Sequence, residues 1–269
     1  MEILGYLGAL FTGLSLGLIG GGGSILIVPV LVYLFNINPS LATAYSLFVV
    51  GTASVVGSIE YARKGLIDYK TAVIFAFPSF LGVFAVRAWL VPQLPQTIAA
   101  FGTISLSKDV LIMLVFAVVM LLASISMIRK NTDAPSTSDE QQQNQISYNY
   151  PMIAIEGLGV GAITGFVGAG GGFLIIPALV ILARLPMKLA VGTSLIIIAS
   201  KSLLGFLGDL SVSQAIHWVF LLKITATAIG GIFIGSSLSS IIPGKKLKPA
   251  FGWFVLVMGI YIITKQIFI

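Results

Sequence analysis

Two glycine runs constrain this chain more than any other feature. Gly-Leu-Ile-Gly-Gly-Gly-Gly-Ser spans 17–24, and Gly-Phe-Val-Gly-Ala-Gly-Gly-Gly spans 165–172. Each interrupts a long apolar stretch and is followed shortly by a proline, Pro29 or Pro177. Glycine has low helix propensity and proline cannot donate a helix-interior bond, so neither run carries a regular helix easily. The runs lie 148 residues apart, and the match around them holds without a gap for about forty positions. Leu26-Ile27-Val28-Pro29 falls on Leu174-Ile175-Ile176-Pro177, and Leu41–Leu47 falls on Leu189–Leu195. Gly57 falls on Gly205 and Gly82 on Gly230, and Asp68-Tyr69 meets His217-Trp218 once one residue is gapped. Glycines, prolines and serines match as well as apolar residues, so shared hydrophobicity does not explain the agreement. A duplicated chain with a broken helix in each half is the plan of many secondary transporters.

Composition fixes the solvent. Of the 269 residues, 57% are hydrophobic and 9% charged, with a mean hydropathy of +1.06; soluble domains carry ~25% charge. Apolar segments run at roughly 3–35, 41–60, 70–91, 108–128, 151–183, 188–207, 214–240 and 248–268, and most have the ~18 residues that cross a bilayer core. They are continuously apolar rather than alternating, which excludes a β-barrel. The net charge of +6 sits almost entirely in short loops, where it is a topology signal and not a nucleic-acid footprint. Without cysteine there is no disulfide, thiol catalysis or iron–sulfur ligation. One histidine, His217, rules out a histidine-rich metal site within one chain. No carboxylate pair and no nucleophile with a base stands in the pattern, so no enzyme and no cofactor is implied. Met1–Phe35 has one acid, no basic stretch and a glycine break, and reads as structure rather than a cleaved leader.

The loops then set topology. Residues 129–150 form the only long polar stretch, a linker between an N-terminal repeat (1–128) and a C-terminal repeat (151–269). As one helix, 3–35 would be ~50 Å long, too long for an upright crossing. A hairpin that turns at the glycines leaves a return arm at 24–35 of ~18 Å, suited to a re-entrant half-helix. Each half then has three full crossings, and the halves are inverted. One side receives Arg63, Lys64, Lys70, Arg129, Lys130, Arg184, Lys188, Lys245, Lys246 and Lys248; the other receives Arg87, Lys108 and Lys265. Single crossings would divide these almost evenly, so the positive-inside rule favours inversion. The expected fold is an all-α polytopic membrane protein of two inverted repeats, each a glycine-broken re-entrant hairpin plus three transmembrane helices. It lies in the cytoplasmic membrane, with both termini outside and the linker cytoplasmic.

Unwound backbone at membrane depth must be shielded from lipid and surrounds a protein-lined or hydrated cavity. Half-helices starting at Ser24 and near Gly172 would aim free amides and partial positive charge at the midplane, an anion site. Candidate ligands are Gly20, Gly21, Gly22, Gly23 and Ser24 with Gly168, Gly170, Gly171 and Gly172. Close helix packing is the competing reading. No Gly-Lys-Ser/Thr follows, so neither run is a phosphate loop. Ser46, Thr193 and Ser194 lie about one turn into the next segment of each half; they either face the same cavity or bond local carbonyls. Lys201 stands mid-helix with no acid nearby in sequence. A charge there costs at least ~2.5 kcal/mol. It binds an anion, pairs with Glu60, Glu156 or Asp209, or snorkels to an interface. Glu156 and His217 are candidate coupling groups, a carboxylate and an imidazole that can each carry a proton; both also fit interfacial roles.

The duplicated glycine run ending in proline, with Ala-Val-Gly-Thr-Ser-Leu at Ala190–Leu195 and Gly-Leu-Ile-Asp-Tyr at Gly65–Tyr69, resembles the TauE/SafE family. The resemblance spans nearly the whole chain outside the linker. It implies export of sulfite, sulfoacetate or related sulfur anions, and implicates the glycines with Ser46, Thr193 and Ser194. The chain departs from the family pattern in three places: Ala44-Tyr45 stands for Gly-Thr, His217-Trp218 for Asp-Trp, and Lys201 for a small or apolar residue. The expected function is secondary transport of a small anion, probed against an uncoupled anion channel or facilitator and against a membrane-embedded binding protein without flux. Expected partners are the anion and the lipid bilayer, with no nucleic acid; a homodimer stays open.

Overall fold

The computed structural model describes residues 2–95, 97–101, 104–128, 150–168, 171–181, 185–210, 216–238 and 244–268. The expected linker therefore lies outside the described residues, apart from Tyr150. The chain starts with α1 (Glu2–Ile19), breaks at Gly20, and returns through a 3-10 turn (Gly21–Leu26), a single turn α2 (Ile27–Pro29) and a π turn (Val30–Leu34). Pro29 has no N–H for the Ile25 carbonyl, and the ladder widens directly after it. The return arm is thus less regular than a half-helix.

Then come α3 (Pro39–Arg63) and α4 (Tyr69–Ala85), which runs on through a π turn (Val86–Leu90) into the short α5 (Val91–Gln93). Asn38 caps α3 by accepting from Ser40 N–H, with Pro39 in the first turn, and Asp68 caps α4 by accepting from Lys70 and Thr71 N–H. Strands β1 (Thr97–Phe101) and β2 (Ile104–Ser107) pair antiparallel. This hairpin departs from the all-α expectation. Its Thr, Ile and Phe suit a strand. The remaining helices are α6 (Lys108–Ile128), α7 (Tyr150–Val167), α8 (Gly172–Ile181), α9 (Met187–Leu210), α10 (Trp218–Leu238) and α11 (Gly244–Phe268).

Among the described residues six helices are long and apolar enough to cross a membrane: Glu2–Ile19, Pro39–Arg63, Tyr69–Gln93, Lys108–Ile125, Lys188–Asp209 and Trp218–Leu238. Large apolar side chains stand exposed on them, among them Ile3, Val73, Phe77, Trp89, Leu122 and Val219. Water would penalise such a surface heavily, whereas lipid tails accept it.

The interior is built on repeated contacts. α1 packs on α10, and α7 packs on α4. A Cβ on Gly231 would strike the Leu10 carbonyl, and one on Gly82 the Leu158 carbonyl, 148 residues further on. Gly57 meets Ile232 and Gly205 meets Val83 in the same crosswise manner. The partner of Gly82 is therefore Gly231. Gly230, the ungapped match, has only Leu10 Cδ1 at 3.9 Å. The one-residue gap before His217 accounts for the shift.

Backbone bonds recur too. Ile37 N–H donates to Leu31 O and Leu185 N–H to Leu179 O, both at 3.0 Å. α3 and α9 run antiparallel, with Gly51 against Leu203 and Gly192 against Leu66 and Tyr61. At their ends, Asp68 N–H donates to Thr193 Oγ1 at 2.9 Å and His217 N–H donates to Tyr45 OH at 2.8 Å. Tyr45 and Thr193 are 148 residues apart, so one tie is made with a phenol and its counterpart with a hydroxyl. Tyr45→Phe and Thr193→Val should each lower the thermal stability of the purified protein by about 1 kcal/mol, the worth of one such bond.

Candidate functional site

Both glycine runs do break their helices, and the breaks meet. Gly20 and Gly168 each adopt φ 73°, a left-handed bend that glycine makes at little steric cost. Gly20 leads into the return turn and lies against Val191 and Ser194; Gly168 directly follows α7 and lies against Thr43. Ser46 Oγ contacts the Gly168 carbonyl, and it also donates to Thr43 O at 2.8 Å. Beyond the bends, Gly21 and Gly172 touch backbone to backbone, with no room for a side chain on either. The crossing is thus a thin glycine partition between the two halves. Close approach, one of the two sequence readings, is what these two glycines make possible here.

The hydroxyls divide. Ser24 Oγ donates to Gly21 O at 2.7 Å, inside its own turn. Ser194 Oγ donates to Val191 O at 2.7 Å beside Gly20. Thr193 turns instead to the Asp68 amide. Gly22 and Gly23 belong to the 3-10 turn, with Gly23 packed on Ser15 and Leu16. Gly170 lies outside the described residues.

Lys201 comes to the same place from α9. It is 1% exposed, and its Nζ donates to Thr164 Oγ1 at 3.0 Å. Thr164 Oγ1 in turn donates to Gly161 O at 3.2 Å. The ammonium also abuts Gly171, where a Cβ would sit 2.7 Å from Nζ and collide with Thr164. Gly171 has φ 66°, so glycine is favoured there twice over. Among the described residues the ion pairs are Lys64–Glu60 and Arg87–Asp209, and Lys201 is in neither. Among the described residues its three donors face one side-chain acceptor, Thr164. The acids considered as its partners lie elsewhere: Glu60 pairs with Lys64, Asp209 with Arg87, and Glu156 sits half-buried on α7. His217 is exposed at the start of α10 and lines a cavity of about 760 Å3 with Tyr6, Phe35, Tyr45, Trp218 and Lys223. Neither Glu156 nor His217 touches the glycine crossing.

Two site residues escaped the sequence reading. Thr164 is a lone threonine in an apolar helix, and its only signal is its place seven residues before Gly171. Arg87 was counted among loop charges because the apolar segment ends near 91. The helix runs on to Gln93, and Arg87 sits in its π turn, 2% exposed and 3.3 Å from Asp209.

The sequence profile of the sulfite exporter TauE/SafE family matches residues 5–262. The chain belongs to the sulfite exporter TauE/SafE family. It is 32% identical over 257 residues to a probable membrane transporter protein of Xylella fastidiosa (strain Temecula1), covering 94% of this chain and 92% of that one. It is 28% identical over 269 residues to the probable membrane transporter protein YunE of Bacillus subtilis, covering 93% of each. An archaeal relative, a probable membrane transporter protein of Methanocaldococcus jannaschii, is 25% identical over 214 residues, covering 78% of this chain and 69% of that one. No solved structure matches. As a TauE/SafE member with six apolar helices of spanning length, the chain is a multi-pass membrane transporter. The family resemblance drawn from the glycine runs is thereby established.

Proposed function

We propose that this TauE/SafE protein is a secondary transporter of a small sulfur-containing anion such as sulfite, sulfoacetate or another sulfonate. It works by alternating access across the cytoplasmic membrane. One observation carries the reading: a fully buried ammonium, Lys201, with Thr164 as its one side-chain acceptor among the described residues, lies against a glycine crossing between two duplicated halves. An anion that reached Gly171 would find the two further donors of the ammonium and the amides at the start of α8.

The crosswise contacts support two inverted repeats. α3 and α9 occupy equivalent places in the duplication and run antiparallel, which follows from a two-fold axis in the membrane plane rather than along its normal. In this arrangement residues 1–128 and 151–269 are the repeats. The hairpins at 20–24 and 168–172 are re-entrant, the termini lie outside, and the 129–150 linker lies in the cytoplasm. Alternation then means separating the Gly21–Gly172 contact on one side at a time. Ser46 and Ser194 flank the two bends and steady them.

The test is uptake of [35S]sulfite and sulfoacetate into proteoliposomes. Saturable uptake that accumulates under an imposed proton or sodium gradient is expected. Uptake that only equilibrates would make the protein a facilitator. No flux of either anion would overturn the reading.

A further inference from the structure

We propose that Arg87 forms a second oxyanion site, next to the glycine crossing but distinct from Lys201, which grips the anion through the Nε–Nη2 edge of the guanidinium. Arginine stays charged at any accessible pH, and Arg87 is buried to 98% by its 2% exposure. Its one ion-pair bond uses Nη1, which donates to Asp209 Oδ1 at 3.3 Å. Nε and Nη2 are buried without an acceptor among the described residues. These two nitrogens share the side-on edge of the guanidinium, whose two parallel N–H bonds match two oxygens of a carboxylate, phosphate, sulfite or sulfonate. Asp209 therefore holds the cation from the wrong nitrogen to close the fork, and its own Oδ2 also has no partner among the described residues.

The surroundings select an anion. Arg87 and Lys108, the latter 8% exposed, line one cleft with a single carboxylate, Asp209. The other acid nearby, Asp109, is taken at the rim by Asn38 Nδ2 and Ser40 Oγ. The cleft has a volume of about 30 Å3, room for two or so waters at ~10–15 Å3 each and hence for one small oxyanion. On the far side, Nη2 lies 2.7 Å from where a Cβ at Gly168 would stand. The Nε–Nη2 edge is closed off from water, and Nη2 lies against the bend that Ser46 contacts, next to the cleft that Arg87 helps to line. A shorter lysine at 87 would keep the charge and lose the fork.

This site rests on the reading that the chain carries anions, and binding stoichiometry separates the two. Equilibrium binding of [35S]sulfite to the purified full-length chain should give two anions per chain. Arg87→Lys, which retains a cation for Asp209, should bind one, and Lys201→Ala should bind the other. Asp209→Asn removes the competing carboxylate and should tighten the Arg87 site at least about tenfold. Two anions bound by Arg87→Lys with unchanged Kd, or a single anion in wild type that disappears in Lys201→Ala, would overturn the proposal. A single anion that is lost in Arg87→Lys and kept in Lys201→Ala would uphold this site and sink the one at Lys201. A wild-type chain that binds none would sink both.

Discussion

Lys201→Met is expected to lower sulfite uptake into proteoliposomes about 10- to 100-fold while leaving the protein as stable as before, or more so. Methionine has nearly the length of lysine and no charge, so the space between Thr164 and Gly171 stays filled. What disappears is an ammonium 1% exposed, in no ion pair among the described residues. A buried charge of this kind weakens a fold, and an apolar substitute of similar volume tends to strengthen it. Thr164 keeps its bond to the Gly161 carbonyl. Transport suffers because a contact between an ion and its counter-charge is worth roughly 1.5–3 kcal/mol, and 1.4 kcal/mol is tenfold. Lys201→Arg should rescue little, since the broader guanidinium has no room against Gly171. Wild-type uptake by both variants, with lowered melting temperature, would make Lys201 a structural residue.

The second large effect falls on the crossing itself. Gly21→Ala and Gly172→Ala should each destabilise the protein by about 3 kcal/mol or more and abolish uptake. A Cβ on either residue would collide with the backbone of the other. Backbone cannot swing aside as a flexible side chain does, so the penalty sits at or above the upper end for overpacked sites. Gly159→Ala is the control: nothing lies within 4 Å of the added methyl group, and the residue is inside α7. Helix propensity there favours alanine by up to about 1 kcal/mol. Thermal unfolding in detergent measures all three. Equal melting temperatures for Gly21→Ala and Gly159→Ala would mean that the two runs do not touch.

The glycine runs were readable from sequence because their signal is a property of the backbone. A string of glycines before a proline says where a helix breaks, whatever surrounds it. The family was readable for the same reason. Side-chain roles were less so. Thr193 and Ser194 look interchangeable in sequence, yet one ties down the Asp68 amide and the other sits by Gly20. Neighbours on a helix point about 100° apart, and only the packing says which way each faces.

Arg87 illustrates a different failure. Hydropathy ends the fourth-helix segment near residue 91, which puts an arginine at 87 at the water interface. A π turn carries the helix onward and turns that arginine inward to Asp209, a partner 122 residues away. No local pattern announces a long-range ion pair. The β-hairpin at 97–107 was hidden by its position between two apolar segments, although its residues favour strand.

The central claim is that an anion is held at Lys201 beside the glycine crossing. Selenite, a heavier analogue of sulfite, tests it most directly through its anomalous scattering in crystals of the protein. The account predicts a selenium peak within reach of a hydrogen-bonded oxygen, about 3 Å, from Lys201 Nζ and the Gly171 backbone. A map at saturating selenite with no peak there, and with Lys201 still bonded only to Thr164, would contradict it.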